Sequence, residues 1–311
     1  MSSTPTREHI EAFGCAVARY LTAHRHHLNG FNWPIEEKCV GEAARRGLLS
    51  DLSVNGGFDE TNRLRKAVAK EARKIQKLVP PPQRVADLAD LAKFVISDWG
   101  NLKGNNPATI LEYAKRISDI EVPFEQIRSA AQLRAAVPGR QRRGLFSFTG
   151  IASWSKWLNF VWNDWALIYD ARIAFALNVI HFLHEVDAPV FPVPPGRNQQ
   201  LAALDAESSA AFRWLGGHGG ACPSQSDVSD LLASAPVPGK DAYCYYLAVM
   251  DVAHQKLWPS EESRPLVHTE MLLFMLSISI IANDFAREML MQLKPRAWAV
   301  VEVEQHLGNG A

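Results

Sequence analysis

The sequence predicts an all-α protein. Apolar residues recur at spacings of three and four along most of the chain, the period of a helix, and no region is rich in strands. The breaks between these runs carry helix and turn punctuation: Asn29-Gly30, Val54-Asn55-Gly56-Gly57, Pro80-Pro81-Pro82 and Pro138-Gly139. Composition supports a folded body. Of 311 residues 47% are hydrophobic, ample for a core, and 21% are charged, too few for wholesale disorder.

Residues 1–7 read as a frayed end. Residues 8–27 form the first helix, with Ile10, Phe13, Val17, Tyr20 and Leu21 on one face. His24, Arg25, His26 and His27 close it, where cations meet the negative end of the dipole. No cysteine or carboxylate stands at ligand spacing with them, so the cap explains them before a metal does. Residues 35–49 are a second helix and 59–78 a third. The third carries Arg63, Arg65, Lys66, Lys70, Arg73, Lys74 and Lys77 against one acid, Glu71. This pattern reads as a solvated amphipathic face ahead of a direct DNA contact.

The three prolines break the chain before a helix over 85–97. A polar, glycine-rich loop follows at 98–106, in which Trp99 is either a core residue or a wedge that stacks on bases. Helices over 108–117 and 123–137 lead into Pro138-Gly139-Arg140-Gln141-Arg142-Arg143-Gly144, an arginine-rich loop that runs straight into the next motif.

That motif occupies residues 144–178. Phe148-Thr149-Gly150-Ile151-Ala152 has the character of a hairpin whose glycine takes positive φ. Residues 153–161 then keep Trp154, Trp157, Leu158 and Val161 on one face of a helix. A polar break, Trp162-Asn163-Asp164, and a short apolar run, residues 166–169, end at Asp170. Asp170 stands directly before the helix-forming run 171–178, at the N-cap position.

Beyond it the helix extends to His184-Glu185, with His181 and His184 read as packed side chains. Residues 188–197 are proline-rich and extended. Helices are expected over 201–215, 227–233, 239–258 and 265–294, with a mobile surface loop at Gly216-Gly217-His218-Gly219-Gly220. That loop lacks the Gly-Lys-Ser/Thr ending of a phosphate loop. A short irregular or strand-like piece is expected at 298–303. The chain divides into 1–137, the hairpin segment 138–187, and 188–311, or forms one continuous two-lobed domain.

Residues 144–178 resemble the helix-hairpin-helix DNA glycosylases. In that superfamily a Leu-Pro-Gly-Val-Gly hairpin precedes a helix, and an apolar run then ends in an aspartate that opens the next helix. Phe148-Thr149-Gly150-Ile151-Ala152 stands for the hairpin and Ile168-Tyr169-Asp170-Ala171-Arg172 for the Val-Asp-Thr-His-Val segment. Ala152-Ser153-Trp154-Ser155-Lys156 with Ile168-Tyr169-Asp170-Ala171-Arg172-Ile173-Ala174 is similar to the 8-oxoguanine-glycosylase-like branch, whose bacterial members include phage-defence enzymes. Two positions depart from the pattern. Ala152 replaces the second hairpin glycine, and Trp154 holds the place of the usual lysine. Lys156 lies two positions on, roughly 200° around the helix, an offset that fits the 8-oxoguanine-like branch.

The resemblance implies two helical lobes flanking a DNA-binding cleft, and hydrolysis of an N-glycosidic bond to leave an abasic site, with no cofactor and no metal. As the base leaves, the sugar becomes oxocarbenium-like, and a fixed carboxylate beside it stabilises that charge or orients water. Asp170 is the expected carboxylate, because a helix N-terminus both anchors a carboxylate and favours negative charge. Lys156 is expected beside it, in a supporting or DNA-contact role before that of a Schiff-base nucleophile. Trp154, Tyr169 and Trp99 are candidates for the pocket of the flipped base. Gly150, Ala152, Ser153, Arg140, Arg142, Arg143 and Arg172 are candidates for phosphate contacts. Asn159, Asn163 and Asp164 read either as base-edge contacts or as solvated helix ends.

The overall charge counts slightly against nucleic acid as partner. Lys plus Arg and Asp plus Glu are 33 each, with pI near 7.2, so any affinity for phosphate depends on local excess. Cys15, Cys39, Cys222 and Cys244 show no paired spacing and read as reduced cytosolic thiols. The N-terminus has no signal pattern, and the most apolar run, 271–282, is too short to span a bilayer. The expectation is a soluble cytoplasmic glycosylase. Its substrate is a hypermodified phage base such as glucosylated hydroxymethylcytosine, or else 8-oxoguanine or another damaged base. A non-catalytic helical nucleic-acid-binding module is the alternative from another class.

Overall fold

The structure, a computed structural model, describes residues 4–30, 35–102, 107–142, 145–194, 236–260 and 264–291. Among these every regular element is a helix and there is no strand. The helices expected over 201–215 and 227–233, the Gly216–Gly220 loop, the piece at 298–303, Arg143 and Cys222 lie outside the described residues.

Helix α1 (Arg7–His24) begins at Thr6, whose hydroxyl accepts from His9 N while Thr6 N donates to the His9 ring. This reciprocal cap satisfies two end groups at once. A 3-10 turn, Arg25–Gly30, closes it, and His26 and His27 pack ring to ring at 4.1 Å. Helices α2 (Glu37–Arg45) and α3 (Phe58–Leu78) follow. Helix α4 (Pro81–Lys93) starts four residues earlier than the triple proline suggests. Pro81 and Pro82 occupy its first turn, where no backbone N–H is needed and φ near −65° is already helical. A π turn, Phe94–Trp99, extends α4 and ends at Gly100.

Helix α5 (Pro107–Ser118) comes next. The single helix expected over 123–137 is instead a 3-10 turn, Phe124–Gln126, and a short α6 (Ala130–Ala136) capped by Ser129. Tertiary hydrogen bonds explain the interruption. The carbonyls of Phe124 and Ile127 accept from the indoles of Trp162 and Trp165 (2.9 and 3.0 Å), and Phe124 N donates to Gln76.

Helices α7 (Ile151–Val161) and α8 (Ala171–Leu183) form the centre. Each buries ten of its residues, and a helix that is apolar on all sides belongs in the middle of a fold. Around them, α3 packs on α7, α1 and α10 (Val267–Leu276) pack on α8, and α9 (Gly239–Leu257) packs along α1. One buried cluster takes in residues from Phe13 to Ile281, so the three stretches the sequence separates share a core.

Helix α10 continues through a π turn, Ser277–Ile281, to Met291. The resulting span, Val267–Met291, is 25 residues, so it is longer than the apolar run suggested and is long and apolar enough to cross a membrane. Its first half lies in the core through Val267, Met271, Leu272, Leu273 and Leu276.

Candidate active site

The site is built around the extended run that joins α7 to α8. Residues 166–169 are buried and in neither helix, so their backbone groups need partners from elsewhere. Side chains supply them. Asn159 Nδ2 donates to Ala166 O (2.6 Å), and Tyr243 Oη donates to Leu167 O (2.9 Å). Ile168 N donates to Glu270 Oε1 (3.2 Å). Ser155 Oγ accepts from Tyr169 N (3.0 Å) and donates to Tyr169 O (3.4 Å). Three helices thus hold four consecutive residues, and the next is Asp170.

Asp170 is the N-cap of α8. Its Oδ1 accepts from Arg172 N (3.0 Å) and Ile173 N (3.2 Å), which fixes the carboxylate at the positive end of the dipole. Its Oδ2 lies 3.7 Å from Lys156 Nζ. The two side chains are 17% and 11% exposed, so the pair sits at the edge of the core with a face to solvent. Lys156 also donates to Ala152 O (3.4 Å). The two-residue offset therefore still delivers a lysine to the aspartate. Trp154, at the position of the usual lysine, is buried and donates to Ser147 O (2.8 Å).

Gly100 lets the loop after α4 lie against Lys156. A Cβ there would stand 2.9 Å from Lys156 Cδ and 2.8 Å from Ile96 O. Gly150, with φ +72°, is the N-cap of α7, which has no side-chain cap, and the hairpin tip Thr149-Gly150 is exposed. Both positions need glycine, one for closeness and one for its left-handed backbone.

Behind the pair lies a second group of charges, residues the sequence shows far apart and gives no sign of bringing together. Glu270 of α10 and Arg65 of α3 are fully buried, 3.9 Å apart at their nearest atoms. Arg65 lies within 5.8 Å of both the Trp99 and Phe160 rings. Glu270 Oε2, Arg65 Nε and Nη1, and Tyr246 Oη have no hydrogen-bond partner. Burial pushes the Glu270 carboxyl up to about 7 against the pull of Arg65 and the Ile168 amide, and nearby Asp170 adds to the rise. Burial lowers Arg65 and raises Tyr246 for the same reason. Both partners of the ion pair therefore lose more on leaving water than they return to each other. Signals for both were present: Glu270 is the lone acid of an apolar run, and Arg65 shares the α3 face of Leu64, Val68 and Ala72.

The other sequence candidates divide clearly. Trp154, Trp157, Trp162, Trp165 and Tyr169 are all buried, and Tyr169 donates its hydroxyl to Pro192 O. They back the site as core. Trp154 borders an apolar cavity of about 20 Å³, room for about one water and not for a base. Trp99 is half-buried with its ring 4.7 Å from Phe160, so it packs inward rather than projecting as a wedge. Asn159 gives its Nδ2 to the 166–169 run while its buried Oδ1 has no partner, and Asp164 pairs with Arg128. Ser153 is buried and Ala152 half-buried. Arg140 is exposed, whereas Arg142 closes α6 by donating to the carbonyls of Ala135 and Val137. Arg172 lies over the Phe274 ring at 4.9 Å. Among the described residues no group of three or more His, Cys, Asp or Glu side chains could hold a metal.

In comparisons with known proteins, no family model, no curated protein and no solved structure matches this chain.

Proposed function

We propose that this chain is a DNA glycosylase of the helix-hairpin-helix type. One observation carries the reading: a carboxylate fixed by two backbone amides at the N-terminus of a central helix, with a lysine at its free oxygen, just after an exposed glycine hairpin.

Each part has a task in breaking an N-glycosidic bond. At the exposed hairpin Ile151 N and Ser153 N are taken by Phe148 O and Gly150 O, and among the described residues Ala152 N is the first-turn amide left for a phosphate. A nucleotide turned out of the duplex brings its anomeric carbon to Asp170 Oδ2. As the bond to the base breaks, the base takes the electron pair and positive charge grows on the sugar, next to the carboxylate. Water then forms the new C–O bond and its proton passes to the departing base, leaving an abasic site. Lys156 balances Asp170 until the substrate arrives and then faces the sugar–phosphate. Arg172 and Arg140 are the further cations on hand for phosphate. The reaction needs no cofactor, and DNA is the partner in place of a membrane. The two-lobed cleft belongs to the same proposal, as does a modified base as substrate, with glucosylated hydroxymethylcytosine the first to test.

Asp170→Asn tests the reading. Asparagine caps a helix as well as aspartate does, so the variant folds and binds DNA as the wild type does. It should release no base. Equal base release by both proteins would remove Asp170 from the chemistry. DNA binding by both proteins, with no base released by either, would favour a binding module in which Asp170 is a cap.

A further inference from the structure

A groove of about 570 Å³ lies between the turn after α2 and the outer side of α3. Leu48, Leu49 and Ala67, all half-buried, form its floor. Arg63, Lys66, Lys70 and Lys74 line it with a single acid, Glu71. In a chain of zero formal net charge this is a concentrated local excess. Its cations are not equally free. Arg63 is held by Asp51 and Glu60, and Lys74 pairs with Glu71. Lys66 and Lys70 are exposed and, among the described residues, have no ion-pair or hydrogen-bond partner.

The placement follows from the helical period. Arg65 points inward to Glu270, and Lys66 stands about 100° further round, with Lys70 and Lys74 stacked above it at one-turn intervals of about 6 Å. That interval is of the order of the separation of successive phosphates along a nucleic-acid strand. The inward face of α3 packs on α7, which carries Lys156, so α3 stands between the groove and that helix.

We infer that this groove is a second DNA-binding surface, apart from the base site, which seats a stretch of sugar–phosphate backbone with Lys66 and Lys70 on two phosphates and the leucine floor beneath the sugars. An acidic protein segment would also meet the lysines, but the even one-turn spacing over an apolar floor fits a regular polyanion better. The inference takes DNA as partner from the proposed function, yet it is read by binding and not by base release.

The test measures binding of the full chain to a labelled 20-base-pair duplex across a salt series. Wild type is compared with Lys66→Gln/Lys70→Gln and with Lys93→Gln/Lys115→Gln, two exposed lysines outside the groove. Each neutralised phosphate contributes about 0.9 to the slope of log affinity on log salt. The groove variant should lose about two in slope and bind roughly tenfold or more weakly at about 0.15 M salt. The control pair should match wild type, and all three should melt together, since exposed substitutions of this kind barely change stability. An unchanged slope in the groove variant overturns the inference, as does groove-dependent binding of polyglutamate by a protein that does not bind DNA. Base release with an unchanged slope sinks the groove and leaves the enzyme standing. A groove-dependent slope without base release on any DNA does the reverse.

Discussion

Glu270→Gln tests the physical account of the site most sharply. In the folded protein burial lifts the Glu270 carboxyl from 4.5 to about 7. At about 1.4 kcal/mol per pH unit, ionising it in the fold costs about 3 kcal/mol more than ionising it in the unfolded chain. The folded value lies above the unfolded one, so between them the native state holds more protons. Its stability contribution is therefore complete below pH 4.5 and is lost as pH rises through 7. Glutamine has the shape of the protonated acid and keeps an oxygen for Ile168 N, so the two proteins should be about equally stable near pH 4.5. Glutamine cannot ionise, so at pH 8 the variant should exceed wild type by an amount on the order of 3 kcal/mol. Urea unfolding of both proteins from pH 4.5 to 8.5 measures the gap, and other titrating groups cancel in the comparison. Parallel stability curves would mean that Glu270 titrates as an ordinary surface carboxyl. A variant less stable at pH 8 would mean that the Arg65 pair returns more than burial takes. Either result refutes the reasoning.

Two further outcomes follow from the same geometry. Gly150→Ala places a Cβ on a residue with φ +72° and 2.2 Å from the Tyr113 hydroxyl. It should cost about 1–3 kcal/mol in thermal or urea unfolding, and Tyr113→Phe in the same chain should relieve the clash but not the backbone part. Ser155→Ala leaves Tyr169 N and O without partners in the core, a loss of about 1–3 kcal/mol. It should slow base release while DNA affinity holds, because the run it clasps carries Asp170 and not the hairpin. A fall in affinity equal to the fall in rate would contradict that division.

Much of the site was legible along the chain because its key features are local. A glycine at a turn, an aspartate before a helix-forming run and the amphipathic period each depend on a few neighbouring residues, and Gly150, Asp170 and α7–α8 stand where those signals put them. What the sequence hid is tertiary. Ser155, Asn159, Tyr243 and Glu270 come from three helices to satisfy one buried run, and no spacing rule announces such a meeting. Arg65 read as one of seven solvated bases, although its apolar neighbours on α3 place it inside. The break in 123–137 is likewise invisible locally, because its carbonyls are claimed by tryptophans about 38 residues away. Trp154 and Tyr169 looked like pocket residues by motif position, but their polar atoms are committed to backbone carbonyls.

The central claim is that Asp170 drives base release. The most direct measurement counts abasic sites formed in unmodified DNA, 8-oxoguanine DNA, and phage DNA bearing hydroxymethylated or glucosylated cytosine, with wild type and Asp170→Asn side by side. The account predicts abasic sites on a modified DNA with wild type, none above background with the variant, and equal binding by both. Intact DNA across the whole panel, from a wild-type protein that binds it, would contradict the account.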